Sequence, residues 1–419
     1  MGQEPYRVAS DPLAGKPRHH PSNARASPSP MNVSPAHRMA LPPTALPPTA
    51  RIVVIRFGSL GDVVKCTALP RLVKSAYPQS QLTFVTSDSY LELISGDPHI
   101  DRPLGFDRKL GWAGLARLAR DLREHGVDLA VDVHRSLRSR LLCSRLEAPV
   151  AAYSKRTLQR WLLIRFGVNT YNPPAGKEQD FLLPLAPYGV RDDGLGTRLY
   201  FEGIAADFPA RLAGVLAPLA RWRQEGRPIL GIAPVAAWAL KCWPLASFDA
   251  LVAGFLARTR GAVVVFGGPG DREAHALAQR HGERALSVVG RTSYLESAYI
   301  ASLTDLVVAN DTGMVHLAEA AGRDVIALYG PTSRELGYYP ARPGSLAVER
   351  DLPCRPCTRM GEGRCTHPLE RACLVGIAPG HVLALALGKL GLGPEAGAPG
   401  AGLRGAGALG AGLRGAGPC

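Results

Sequence analysis

The chain has 419 residues, enough for two domains of ordinary size that each bury a core. Its formal net charge of +14 and pI near 9.7 favour an acidic partner, whether a phosphorylated substrate, a nucleic acid or an anionic membrane surface. Because no run of about 18 apolar residues occurs, we expect no membrane-spanning helix, and residues 1–50 lack the apolar stretch of an export signal.

Both ends of the chain have compositions typical of disordered segments. Residues 1–50 contain 11 of the 36 prolines and repeat the letters LPPTA in tandem, and residues 391–419 are rich in Gly and Ala and repeat GAGLRGAG. Neither segment has enough apolar residues to offset the entropy lost on ordering. We therefore predict that both tails are disordered and that function resides between about 51 and 390.

The first predicted strand, RIVVIRF at residues 51–57, is followed by the turn GSLGD and a helix that continues to about Lys74. Two glycines in the turn indicate close backbone approach or a positive φ, but their spacing is not the dinucleotide-binding G-x-G-x-x-G. Asp62 falls in the first turn of the helix, at the mouth of the sheet crevice. It is either a helix cap or a general base that takes a proton from a hydroxyl.

Strands and helices then alternate, with strands predicted at 81–85 and 129–132 and helices near 89–94 and 112–124. This pattern predicts a parallel sheet covered by helices. The next segment, residues 135–165, carries eight Lys or Arg and one acid, interleaved with Leu, Ile and Trp. It is either a solvated helical face or a basic, partly apolar surface for anionic lipid or for an acceptor bearing carboxylates or phosphates.

The second half repeats the pattern after a crossing segment, residues 172–227, that is rich in Pro, Gly and Asp. A buried strand at 228–234 leads into a loop that contains Lys241, whose ammonium group can hold a diphosphate as a mobile point charge. The next strand ends in the turn GGPG, followed by Asp271. Asp271, or alternatively Glu273, is placed to hydrogen-bond a nucleotide ribose.

The stretch 306–329 reads as strand, tight turn, helix and strand, with the letters NDTGMVH at the turn. Asp311 or Thr312 caps the predicted helix, and Gly322 ends it. A helix N-terminus at the carboxyl end of a buried parallel strand offers unpaired N–H groups and the positive end of a dipole, which favours a phosphate. The alternative is an ordinary crossover helix with a good cap.

Four of the eight cysteines fall within twenty residues, with His367 nearby: Cys354, Cys357, Cys365 and Cys373. In a cytosolic protein such clustering points to a metal before disulfides, although the second C-x-x-C of a zinc ribbon is missing. The cluster therefore predicts either a structural zinc or other metal site, or a set of reduced or redox-labile thiols. No catalytic role is assigned to it.

Five motifs occur in a fixed order along the chain: R-x-x-x-L-G-D at 56–62, D-x-H-R-S-x-R-S at 132–139, K-x-W-P at 241–244, GGPGD at 267–271 and NDTG-x-x-H at 310–316. Together they resemble glycosyltransferase family 9, the lipopolysaccharide heptosyltransferases that use ADP-heptose, over about residues 51–385. The resemblance implies an α/β fold of the GT-B type, with two Rossmann-like domains whose parallel sheets face a central cleft. Residues 51–215 would bind the acceptor, and residues 216–390, which include the cysteine cluster, would bind the nucleotide sugar.

The resemblance also implies inverting, metal-independent transfer of a heptose from ADP-heptose to an acidic, lipid-linked inner-core acceptor. The enzyme would work at the cytoplasmic face of the bacterial inner membrane, with its basic domain on the anionic surface. Asp62 would be the base, and Lys241 would assist departure of the diphosphate. The implied donor-binding residues are Gly61, Asp271, Asp311, Thr312, Gly313 and His316. Arg135 and Arg138 would hold the acceptor, and no cofactor would be needed for catalysis.

Three alternatives remain open from the sequence. A GT-B enzyme with another nucleotide-sugar donor has the same motifs, because base and sugar contacts come from scattered loops. A sugar-nucleotide-binding protein without catalysis is disfavoured by the intact Asp62. A nucleic-acid-binding protein is suggested by the charge and the cysteines, but aromatic residues that would stack on bases make up only 6% of the chain, so we expect no nucleic-acid partner.

Overall fold

The computed structural model describes residues 7–9, 45–171, 176–202 and 208–393. The predicted disorder of the C-terminal tail beyond residue 393, and of most of residues 1–44, lies outside these ranges. The prediction fails for two short segments. Residues 45–50 lead into the core, where Ala50 is completely buried, and Arg7–Ala9 forms strand β1 and pairs antiparallel with a strand of the C-terminal sheet. Its partner lies some 340 positions away in the sequence, so local composition gives no signal for the pairing.

The N-terminal sheet is parallel throughout, in the order β4-β3-β2-β5-β6. Its strands are β2 (Arg51–Ile55), β3 (Gln81–Ser87), β4 (Arg102–Phe106), β5 (Leu129–Asp132) and β6 (Val150–Ala152). The chain leaves β2 on one side to form β3 and β4, and returns on the other side to form β5. The crevice between the carboxyl ends of β2 and β5 is therefore a topological switch point, where open α/β sheets bind their ligands.

The C-terminal sheet has the order β1-β12-β11-β10-β7-β8-β9, and all its pairings except that of β1 are parallel. Its other strands are β7 (Ile229–Ala233), β8 (Ala262–Val265), β9 (Ala285–Ser287), β10 (Leu306–Asn310), β11 (Val325–Tyr329) and β12 (Leu346–Glu349). The strands β7, β10 and β11 are completely buried, as expected for a sheet with helices on both faces. The switch point here lies between β7 and β10.

Fifteen α-helices connect and cover the strands within the described ranges. They are α1 (Leu60–Lys65), α2 (Ala68–Ala76), α3 (Glu92–Ser95), α4 (Gly111–Glu124), α5 (Leu137–Cys143), α6 (Thr157–Phe166), α7 (Lys177–Leu182), α8 (Phe208–Arg211), α9 (Ala213–Gln224), α10 (Leu245–Arg258), α11 (Arg272–Arg280), α12 (Tyr294–Ser302), α13 (Gly313–Ala320), α14 (Ala372–Val375) and α15 (Pro379–Lys389). The single helix predicted up to Lys74 is two helices, α1 and α2. Pro70 explains the break, because its ring would clash with the Cys66 carbonyl of a continuous helix.

The predicted domain boundary at residue 215 falls inside α9. This helix buries Val215, Leu219 and Trp222 in the core that continues through β7. Residues on both sides of position 215 therefore belong to the same helix and pack in the same core. One helical segment, Ala239–Arg258, is long and apolar enough by length and composition alone to cross a membrane. Its main part, α10, packs Phe248 and Phe255 against the C-terminal sheet, and this burial accounts for its apolar composition.

Candidate active site

The two sheets bring the starts of α1 and α13 face to face. A Cβ atom on Gly61 would lie 2.7 Å from Cδ2 of His316, and a Cβ atom on Gly313 would lie 2.5 Å from Cδ2 of Leu60. Any side chain at either glycine would collide with the opposite turn, so close approach of the two units requires glycine at both positions. Three of the predicted donor-site residues, Gly61, Gly313 and His316, are thus brought together.

Asp62 lies in the first turn of α1, and its carboxylate is almost completely buried. One oxygen, Oδ2, forms an ion pair with the guanidinium of Arg56 and accepts a hydrogen bond from the Ser59 hydroxyl at 2.9 Å. The other oxygen, Oδ1, accepts a hydrogen bond from the hydroxyl of Tyr338 at 2.8 Å. Arg56 also donates to the carbonyl of Val133, which fixes the guanidinium at the switch point between β2 and β5.

These partners decide the protonation state of Asp62. Burial alone would raise the pKa of its carboxyl, but Arg56, the hydroxyls of Tyr338 and Ser59, and the ammonium of Lys177 together hold the pKa below its usual range. Asp62 is therefore a carboxylate at neutral pH, as a base must be before it can accept a proton.

Tyr338 and Lys177 are site residues that the sequence analysis missed. Tyr338 follows β11, 276 positions after Asp62, and its ring centre lies 6.1 Å from that of His316, so it contacts both walls of the cleft. Lys177, at the start of α7, lies 5.7 Å from the centre of the Tyr338 ring, and its backbone N–H donates to the carbonyl of Gly337. No local sequence pattern marks either residue, because each acts only through contacts made by the folded chain.

The other wall of the site contains an ion pair between Lys241 and Asp311, with 2.8 Å between Nζ and Oδ2. Thr332, which follows β11, donates its hydroxyl to the same carboxylate oxygen at 2.7 Å. Asn310 at the end of β10 fixes the loop that carries Lys241, because its amide donates to the Pro234 carbonyl and accepts from the N–H of Trp243. The structure therefore brings Lys241 and Asp311, two of the residues that the resemblance implies for the donor site, together at the switch point between β7 and β10.

The cap of α13 is Thr312, whose hydroxyl accepts from the N–H of Met314 at 3.1 Å. Asp311, the other predicted cap, uses its carboxylate for Lys241 and Thr332 instead. Gly322 adopts a positive φ of 83° just after the helix, as predicted for its end.

His316 lies in α13, buried, and its Nδ1 has no hydrogen-bond partner among the residues that the structure describes. Burial, and after it the cations Lys65 and Lys241, lower the pKa of the imidazole well below its ordinary value. The ring is therefore neutral at physiological pH and carries one N–H donor.

Asp271 is not brought into this group. Its carboxylate accepts a hydrogen bond from the N–H of Gly268 at 2.6 Å, and so closes the glycine turn after β8 on itself. Its other hydrogen bonds also stay within its own turn and the start of α11. The alternative residue, Glu273, is exposed on α11.

Arg135 and Arg138 belong to a loop that Asp132 organises. The Asp132 carboxylate accepts hydrogen bonds from the N–H groups of His134 and Arg135, and Arg135 has a positive φ of 55°. Arg138, in α5, places its guanidinium 5.8 Å from the centre of the Trp112 ring. Neither arginine contacts Asp62 in the structure, and the link from this loop to Asp62 runs through Arg56.

The four clustered cysteines are free thiols, and the part of the chain described here contains no group of three or more His, Cys, Asp or Glu side chains that converge as metal ligands. The predicted structural zinc site is therefore not formed by these side chains as they are placed. Burial and the neighbouring Cys354, Cys373 and Cys365 raise the pKa of Cys357 to about 11. Without a bound metal its thiol is therefore protonated at neutral pH, and a metal ion would displace this proton on binding.

The comparison that decides the family is a match of residues 115–364, more than half of the chain, to the model of glycosyltransferase family 9 (heptosyltransferase). The chain belongs to this family. It is 27% identical over 332 residues to lipopolysaccharide heptosyltransferase 1 of Pseudomonas aeruginosa, covering 74% of this chain and 86% of the relative. It is 22% identical over 288 residues to a lipopolysaccharide core heptosyltransferase of Haemophilus influenzae, covering 66% of this chain and 78% of the relative.

Solved structures confirm the fold of this family 9 chain. The crystal structure of a family 9 glycosyltransferase from Veillonella parvula superimposes with a TM-score of 0.65 at 20% identity, over 82% of this chain and 97% of that one. The ADP-heptose lipopolysaccharide heptosyltransferase II of Escherichia coli gives 0.59 at 20% identity, over 81% and 98%. The predicted GT-B arrangement of two α/β units is confirmed, and the protein is a glycosyltransferase.

Proposed function

We propose that this enzyme transfers a heptose from ADP-heptose to an acidic saccharide of the lipopolysaccharide inner core, with inversion and with Asp62 as the base. Family membership and the names of the relatives support the donor and acceptor classes. One structural observation carries the mechanism. A buried, ionised carboxylate and the N-terminus of α13 lie on opposite walls of one cleft, joined through Tyr338, which contacts both Asp62 and His316.

The two oxygens of Asp62 have different tasks in this proposal. Oδ2 is held by Arg56 and Ser59, whereas Oδ1 accepts only from Tyr338 and retains a second lone pair. An acceptor hydroxyl donates to Oδ1 while its oxygen attacks the anomeric carbon. As the new C–O bond forms, the hydroxyl becomes strongly acidic and its proton passes to Oδ1, so even a carboxylate of lowered pKa is a sufficient base.

The departing diphosphate gains negative charge as the old C–O bond breaks. The ammonium of Lys241, the free N–H groups at the start of α13 and the single N–H of the neutral His316 are the donors that we assign to it. To bind there, the diphosphate competes with Asp311 for Lys241, while Thr332 still satisfies the Asp311 carboxylate. These groups supply positive charge in the way that a divalent cation does in other transferases.

We place the acceptor on the N-terminal unit, with Arg135 and Arg138 as its anion-binding side chains. Arg135 follows the Asp132 loop at the switch point next to Asp62, and Arg138 lies one helical turn further on. Guanidinium groups suit the carboxylates and phosphates of an inner-core saccharide. The enzyme would then work as a peripheral protein at the cytoplasmic face of the bacterial inner membrane.

The test of the donor is a thermal-shift panel of ADP-heptose, ADP-glucose, UDP-glucose and GDP-mannose, followed by a transfer assay with a delipidated inner-core acceptor. ADP-heptose should raise the melting temperature most, because a ligand at 100 times its Kd stabilises the fold by about 2.7 kcal/mol. Stronger stabilisation by another sugar nucleotide would reassign the donor. Stabilisation by ADP-heptose with no transfer to the acceptor would make the protein a binder rather than an enzyme for that donor.

A further inference from the structure

Three neighbouring helices of the N-terminal unit leave large apolar side chains in solvent. The most exposed are Leu137 at 74%, Leu158 at 66%, Phe166 at 57%, and Trp112 and Trp161 at 53% each. Helix α6 is the clearest case, since Leu163 is its only buried residue. Scattered exposed leucines are ordinary, but two tryptophans, a phenylalanine and two leucines on adjacent helices form a surface that water solvates poorly.

Cations surround these side chains. We use the name α4–α6 face for the surface formed by the five apolar residues together with Arg138, Arg140, Lys155, Arg160 and Arg165. Arg138 lies over the Trp112 ring, and Arg165 lies 5.5 Å from the centre of the Phe166 ring, so a cation lies against an exposed aromatic ring both at α4 and α5 and at α6. The rings of Trp161 and Phe166 pack edge to face at 5.0 Å.

The positive charge of this face is not neutralised within the described part of the chain. Of the eight cations in residues 135–165, only Arg156 forms an ion pair, with Asp180. The single acid, Glu147, pairs with Arg123 outside the segment. Burial and then the cations Arg56, Arg140 and Arg160 lower the pKa of Lys155, which shows that α5 and the start of α6 bring their cations close together.

We propose that the α4–α6 face inserts its tryptophan, phenylalanine and leucine side chains into the interfacial layer of a bilayer that contains anionic phospholipids. Aromatic rings favour the headgroup level of a membrane, and the surrounding guanidinium groups bind lipid phosphates. Binding of this face to a bilayer does not depend on the proposed function. Only its benefit to the enzyme, access to a lipid-linked acceptor, rests on that function. Helix α5 begins shortly after Val133, whose carbonyl accepts from Arg56, the partner of Asp62. A lipid-linked acceptor held in the bilayer would therefore present its sugar near the base.

The test uses the full chain and vesicles of phosphatidylethanolamine with 30 mol% phosphatidylglycerol (about one anionic lipid in three, to give a negative surface). Sedimentation with vesicles is measured at low and at high salt for the wild type, for Leu158→Ser/Trp161→Ser, and for the control Leu195→Ser. Leu195 is 73% exposed but lies outside the face. The wild type and the control should retain binding at high salt, whereas the double variant should bind roughly tenfold more weakly at high salt, because insertion of apolar groups is insensitive to screening.

Three results would overturn the proposal. The first is wild-type binding that high salt abolishes and that the double variant does not weaken, which would make the contact purely electrostatic. The second is absence of binding to the anionic vesicles, and the third is concentration-dependent self-association that the double variant removes, which would make the face a protein interface. Transfer to the delipidated acceptor should be unchanged in the double variant. Failure of transfer in the wild type would count against the proposed function and leave the vesicle result standing.

Discussion

The glycine turns at residues 58–62 and 310–316 occupy equivalent places in their two sheets but present different chemical groups to the cleft. Each turn follows an interior strand of its sheet, β2 or β10, and begins a helix at a switch point. The two turns approach each other at Gly61 and Gly313. The N-terminal turn presents the Asp62 carboxylate, which Arg56 keeps ionised. The C-terminal turn presents the start of α13 and the neutral imidazole of His316, and its Asp311 carboxylate is paired with Lys241 from the neighbouring loop. The first suits a proton acceptor and the second suits a departing anion, so charge rather than backbone assigns the two halves of the reaction.

Asp62→Asn should have the largest effect, because this substitution removes the base and keeps the shape of the side chain. Turnover should fall by about 10² to 10⁴, the usual contribution of a general base, while ADP-heptose still raises the melting temperature. Asp97→Asn is a matched control, because Asp97 is also buried in the N-terminal unit but pairs with His99 away from the cleft. Near-normal turnover in the Asp62 variant would reduce this residue to a helix cap.

Lys241→Ala tests the opposite wall. Donor affinity and turnover should both fall, turnover by about 10² to 10³, because the ammonium acts on the diphosphate in the ground state and in the transition state. Lys74→Ala is the control, since Lys74 pairs with Asp101 far from the C-terminal turn. If the Lys241→Ala variant keeps both the donor affinity and the turnover of the wild type, the Lys241–Asp311 pair is only structural.

Replacing Arg135 and Arg138 together with Ala should affect the acceptor alone. The acceptor KM should rise roughly two- to thirtyfold, because exposed charge pairs contribute about 0.2–1 kcal/mol each, and the effect should be largest at low salt. Donor affinity should stay within about a factor of two, since distant sites are nearly additive. Arg123→Ala, on the same unit, serves as the control. Loss of donor affinity with an unchanged acceptor KM would show that the roles of the two units are reversed.

The smallest expected effect is that of Tyr338→Phe, and it appears in the pH profile. The Tyr338 hydroxyl helps to lower the pKa of Asp62, so its removal raises that pKa. Activity requires the carboxylate and is lost as pH falls through its pKa, so the acidic limb of kcat/KM should move to higher pH. Near neutral pH turnover should change by less than about threefold, because the Asp62 carboxyl stays ionised there even after its pKa rises. An unmoved acidic limb would mean that another group titrates there.

The parts of the site that the sequence predicted are those with local signals. Thr312 and Gly322 mark the start and the end of α13 next to buried strands, where a capping hydroxyl and a residue of positive φ are favoured, and Gly61 allows the close approach of α13. The two sheets followed from the alternation of apolar runs with helical segments, and the order of the motifs indicated the family.

The parts that the sequence did not predict depend on contacts between distant segments. Tyr338 acquires its role from a residue 276 positions away, and β1 from a strand at the other end of the chain. The cysteine spacing left a metal site and a set of thiols as alternatives, because ligand geometry depends on how a long loop folds. The described side chains form no group of three or more converging ligands. The role of Asp271 at the nucleotide stays a prediction, because only one of its carboxylate oxygens is used to close its own turn.

The central claim is direct displacement at the anomeric carbon by an acceptor oxygen, with protein side chains supplying the base and the charge at the leaving group. The most direct measurement is the anomeric configuration of the product, determined by NMR after transfer from ADP-heptose to a delipidated inner-core acceptor, with and without a chelator. The account predicts a product of inverted configuration and a rate that chelation leaves unchanged. A product of retained configuration, or activity lost on chelation and restored by a divalent cation, would contradict it.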